Sequence, residues 1–166
     1  RGRYPSILQH EKYGVEATKL FNDANKLLDE IIANKSIQAK GVYGFFPANR
    51  KGADDVELFS EESRKDTLMT LHFLRQQHAK EAGVANWSLA DFVAPAGTPD
   101  YFGAFAVTTG IGLDTLVKKY KADLDDYNAI MLKALADRLA EALAEHTHLR
   151  VRRTLWAYEP QESLSN

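Results

Sequence analysis

From Val15 to Ile32 apolar residues return at helical spacing: Ala17, Leu20, Phe21, Ala24, Leu27, Leu28, Ile31 and Ile32. Lys19, Asn22, Asp23, Lys26, Asp29 and Glu30 occupy the other side, so the pattern predicts an amphipathic helix laid on a core and fraying near Asn34-Lys35-Ser36. The period then changes. Val42, Tyr43, Phe45 and Phe46 suit a strand, and Pro47, which has no amide hydrogen, must end its pairing or lie at an edge. Asn49-Arg50-Lys51-Gly52-Ala53-Asp54 is turn chemistry, and Val56 and Leu58 resume the alternation. A β-hairpin with a long connection is expected.

Ser60-Glu61-Glu62-Ser63 carries helix-start signals, while Thr67-Leu68-Met69-Thr70-Leu71 reads equally well as extended. Leu71, Leu74 and the following Arg-Gln-Gln favour helix, with Gly83 as its stop. Residues 89–95 (LADFVAP) and 101–108 (YFGAFAVT) are short apolar runs that read as buried strands, joined across Gly97-Thr98-Pro99-Asp100. A helix is expected over about 113–122, and a longer one from Asp125. In the longer helix Tyr127, Ile130, Met131, Ala134, Leu135, Leu139, Ala142 and Leu143 form one apolar stripe, and Pro160 closes the region. The order α-β-β-(α)-β-β-α-α lacks a regular βαβ alternation. It predicts an α+β fold with an antiparallel or mixed sheet.

A length of 166 residues is that of one domain with a real core, and fractions of 45% hydrophobic and 27% charged are ordinary for a globular protein. The formal charge of −2 offers no basic footprint, so a nucleic-acid partner is not expected. No apolar run approaches the roughly 18 residues of a membrane helix, and RGRYPSILQH lacks the apolar stretch of a signal peptide. With no cysteine, disulfides and thiolate metal sites are excluded. The chain begins without Met and ends in ESLSN, which raises the expectation of a fragment.

Candidate chemistry is sparse. Asp137, Glu141 and Glu145 stand at i, i+4 and i+8 on the long helix, and like charges at that spacing repel. Lys133 can relieve Asp137 and His148 can partly relieve Glu145. Glu141 has no obvious local partner, with Arg138 elsewhere on the wheel. Either this is a solvated face, or one of its carboxylates meets a cationic or hydrogen-bond-donating ligand. His146 and His148 point apart on a helix, His72 and His78 are poorly spaced, and no His-Glu-x-x-His motif occurs, so no metal site is expected. Gly110-Ile111-Gly112 precedes a helix but lacks the full dinucleotide fingerprint, and a plain strand-to-helix turn is the better reading. There is no Gly-x-Ser-x-Gly elbow, and no residue is assigned as catalytic.

Several collinear motifs nevertheless resemble one family. GVYGFFPAN at 41–49, DDVELF at 54–59, LRQQ at 74–77, LADFVAP at 89–95, YFGAFAVT at 101–108, DDYNAIMLKALADRLAEALAE at 125–145 and WAYEPQESLSN at 156–166 are together similar to the activation domain of cobalamin-dependent methionine synthase. The resemblance implies a bent antiparallel or mixed sheet flanked by long helices. It also implies a cytoplasmic methyltransferase module that binds S-adenosylmethionine and closes over a cobalamin-binding domain of the same enzyme. An electron from a flavodoxin-type donor and a methyl group from S-adenosylmethionine would then restore methylcobalamin. The family's Arg-Pro-x-x-Gly-Tyr-Pro stretch and its upstream Asp-Trp segment are absent from these 166 residues. Residues 1–166 are thus expected to be a single-domain fragment lacking both flanking ligand-binding segments. Carried across ALADRLAEALAE, the family's acidic ligand-binding position falls on Glu141, with Asp137 a weaker candidate on the corrin-facing side. The resemblance makes the aromatics of GVYGFFPAN a family hallmark, expected to face the core, with Asn49 capping or turning the chain. A stand-alone, non-catalytic docking module for a corrinoid-binding domain is the alternative.

Overall fold

The computed structural model describes residues 4–163. Its elements are α1 (Gly14–Asn34), β1 (Gln38–Lys51), β2 (Asp55–Phe59), β3 (Thr67–His72), β4 (Asp100–Ile111), α2 (Leu113–Ala122) and α3 (Asp126–Arg150). The strands form one sheet in the order β3-β2-β1-β4. The β1–β2 and β2–β3 pairs are antiparallel. An α+β fold is therefore present, and the chain resolves into two compact units. One unit runs up to Gly41 and resumes at Ala106; the other is Val42–Phe105.

The first unit is helical at its centre. Leu27 and Ile31 of α1, Val117 of α2, and Ala129, Met131 and Leu132 of α3 form its buried cluster. Each fully buried aliphatic side chain contributes about 1.5–3 kcal/mol relative to exposure. The start of α3 is set by Asp125, whose carboxylate accepts the Asn128 N–H at 3.0 Å, a side-chain cap on an otherwise orphaned donor. Of the stripe expected on α3 only Met131 is buried, while Ile130 (68% exposed) and Tyr127 (50%) lie open. The residues that face the core beside Met131 are Ala129, Leu132 and Ala136, outside that stripe. At Gly112 the backbone takes φ +92°, and a Cβ there would stand 2.7 Å from the Ser36 carbonyl oxygen. The Gly-Ile-Gly stretch is thus a strand-to-helix turn in close contact with backbone.

The second unit holds its own core of Ala48, Val56, Leu58, Ala90 and Val93, with Phe46, Leu71, Phe73 and Phe102 packed against it. Several expectations change here. The hairpin is tight rather than long, because Asn49, Arg50 and Lys51 stay in register with Glu57, Val56 and Asp55, leaving Gly52–Asp54 as the loop. Gly52 takes φ +64° with open space around it. Pro47 lies inside β1, one residue before the first β1–β2 pair at Ala48, so its missing N–H interrupts none of those pairs. Asn49 neither caps nor turns the chain. It is buried in the strand, and its amide donates to the carbonyls of Ala94, Pro95 and Thr98 at 3.2, 3.0 and 2.8 Å. Thr67–His72 is a strand paired with β2, and residues 73–88 form no helix. LADFVAP is not a strand: Leu89–Phe92 is a 3-10 turn, because Ser88 and Asp91 close a reciprocal cap around it. YFGAFAVT is in β4 but is largely exposed rather than buried.

Candidate functional site

The carboxylates singled out by spacing lie where the sequence put them, on one exposed side of α3. Their electrostatic setting differs from expectation. Arg138 does reach Glu141: its two terminal nitrogens stand 2.7 and 2.8 Å from the two carboxylate oxygens, a fork-on-fork pair at i, i+3. Both side chains remain more than half exposed, 61% and 54%. The pair is a surface one, worth about 0.5 kcal/mol or less, so a competing cation can displace the guanidinium at little cost. Asp137 is exposed one turn earlier.

One turn beyond Glu141 the same side of the helix opens on a depression of about 540 Å³, lined by Glu145, His146, His148, Arg152 and Arg153 among others. Its cationic wall is anchored. Arg152 donates to Glu162 at 2.6 Å and lies 2.9 Å from the Nδ1 of His148, and Arg153 donates to the Glu162 carbonyl. The carboxylate of Glu162 holds the Arg152 guanidinium above its ordinary range. Anionic and cationic groups thus meet at the end of an acidic stripe, an arrangement that suits a ligand carrying both charges.

A larger apolar groove, about 740 Å³, lies on another side of α3, where Leu139, Ala142 and Leu143 face Leu28, Ile31 and Ile32 of α1. Neither Glu141 nor Asp137 lines it. Its one buried hydroxyl, Thr109, is committed to the Ala136 carbonyl at 2.6 Å. Among the described residues no group of three His, Cys, Asp or Glu side chains could hold a metal ion.

In the second unit the structure gathers residues that are far apart in sequence. Arg75 donates to both oxygens of Asp91 (2.7 and 2.9 Å), to Asp54 (2.9 Å) and to the carbonyls of Ala53 and Asn86 (both 2.7 Å). Arg50 stands 3.6 Å from Asp91. The Arg75 hydrogen bonds, then the Ser88 N–H, then the charges of Arg75 and Arg50 pull the Asp91 carboxyl down to about 2. Every polar arm of Arg75 is used, so the cluster ties the irregular segment 73–88 to the hairpin rather than presenting a reactive group. Spacing along the helices could not reveal it. The one local signal was Ser88-Leu89-Ala90-Asp91, a capping-box pattern.

The family model described as vitamin B12 dependent methionine synthase, activation domain, matches residues 1–166. Among solved structures, "Crystal Structure of the MetH Reactivation Domain bound to AdoHcy" is similar to this chain at 54% identity and a TM-score of 0.92. That match covers 99% of this chain and 51% of the other, so the present chain spans about half the length of the protein it resembles.

Proposed function

Because the chain belongs to the activation-domain family of vitamin B12-dependent methionine synthase, we propose that it serves the reductive reactivation of such an enzyme, helping to hold S-adenosylmethionine against a cobalamin carried by a neighbouring domain. The observation that carries this reading is the 54% identity, across 99% of this chain, to a reactivation domain bound to AdoHcy. AdoHcy is what S-adenosylmethionine becomes on losing its methyl group. A cobalamin held by the neighbouring domain would, with an electron from a flavodoxin-type donor, supply the acceptor for that methyl group. The setting is a cytoplasmic methyltransferase.

The residues of α3 suit the methyl donor. Glu141 accepts hydrogen bonds from the ligand's hydroxyl or ammonium groups, displacing or sharing the Arg138 guanidinium. Asp137 adds negative charge one turn away on the corrin-facing side, and favours a sulfonium over its neutral product. The mixed-charge depression at Glu145 and Arg152 borders the same face. The Arg-Pro-x-x-Gly-Tyr-Pro stretch does not occur in these 166 residues, so partial affinity is expected of them. Calorimetry with S-adenosylmethionine on this chain and on a complete activation domain tests the reading. The complete domain binds and the shorter chain binds weakly; equal, tight binding by both, or none by either, refutes it.

A further inference from the structure

The α3 helix is apolar on two sides, and only one of them is covered. Ala129, Leu132 and Ala136 are buried against the first unit's core, but Tyr127, Ile130 and Ala134 lie open on the opposite flank. With Leu20 and Ala24 of α1 they line a groove of about 390 Å³ that ends at Arg138. Water penalises an exposed apolar groove on a helix whose other apolar side is already buried, and such a groove marks a surface that packs against further apolar side chains.

The lining tells what can fill the groove. Apart from Arg138 at its end, the one polar atom carried by a lining side chain is the Tyr127 hydroxyl, and that donates to Asp23 at 2.8 Å. A zwitterionic small molecule would find no partners there, whereas aliphatic or aromatic side chains would. The match to the similar reactivation domain uses 99% of this chain but only 51% of the other, so about half of that protein has no counterpart here. We infer that the groove between α1 and α3 is the seat of apolar side chains from a further polypeptide segment of the activation domain, packed in cis. Arg138 lies at the end of the groove and holds Glu141, so the seated segment borders that ion pair. The inference rests on family membership and not on the methyl-donor reading.

Because the chain has no cysteine, a single introduced thiol reports one position. Ile130→Cys and, as a second reporter, Ala134→Cys are made in this chain and in the same residues within a complete activation domain, with Lys118→Cys, at an exposed position of α2, as control. Thiol-reagent labelling is timed without ligand. Positions 130 and 134 react readily in the short chain and about tenfold or more slowly in the complete domain, while position 118 is unchanged. Equal rates at 130 and 134 in both chains overturn the inference. So does protection of the complete domain that needs added S-adenosylmethionine, which would make the occupant a ligand. Protection already present in the short chain and lost on dilution would make it a second copy, and also overturns it.

Discussion

Glu141 and Arg138 show how little a surface pair constrains a residue's use. Their fork-on-fork contact is exposed on both sides, so replacing Glu141 with Gln changes stability by about 0.5 kcal/mol or less. In a complete activation domain the same substitution lowers affinity for S-adenosylmethionine by about tenfold, because a charge-assisted hydrogen bond is lost. Calorimetry paired with thermal melting separates the two effects; a large melting change with unaltered affinity would return the residue to a structural role. The glycines give a second contrast at this scale. Gly112→Ala is both left-handed and in collision with the Ser36 carbonyl, whereas Gly52→Ala is left-handed in open space. We expect Gly52→Ala to cost about 1 kcal/mol and Gly112→Ala clearly more, read from urea denaturation.

Among the elements, the three helices were legible from the helical spacing of their apolar residues, although the line that α3 buries is Ala129, Leu132 and Ala136 with Met131 rather than the whole expected stripe. The region 60–95 was not. Its hydrophobic residues do not follow one period, since they belong to an edge strand, an irregular segment and a 3-10 turn fastened by side chains rather than by a ladder. Arg75 is the fastener. Arg75→Lys keeps the charge but cannot reach two carboxylates and two carbonyls at once. That variant leaves segment 73–88 cleaved faster in limited proteolysis, with helix content by circular dichroism unchanged. Asn49→Ala removes a buried amide from three carbonyls and destabilises the second unit by about 2 kcal/mol, measurable by denaturant titration. In the candidate site, the acidic stripe was legible from i, i+4 spacing. The Arg138 partner was missed because its reach at i, i+3 depends on side-chain rotamers.

For the whole molecule, two separate cores mean two responses to solution conditions. Asp91 has a folded value of about 2 against an ordinary 3.8. Its contribution is therefore complete above about pH 4 and is lost as pH falls toward 2, when the carboxylate that binds Arg75 is protonated. Trp87 lies in the second unit and Trp156 in the first. In a Trp156→Phe variant the remaining fluorescence should report an acid transition in that window, and Arg75→Lys should shift it upward in pH. An unshifted transition would remove Asp91 as its cause.

The amino-acid sequence by itself determined the helices, the hairpin, the absence of thiol chemistry and, through its ordered motifs, the family. Those properties are written in local periods, turn residues and composition, which act over a few positions. Only the tertiary structure decided that Asn49 and Arg75 are fasteners, that the second flank of α3 is open, and that Glu141 already holds a guanidinium. Each depends on where distant segments or long side chains meet, and a period along the chain carries no distance across it.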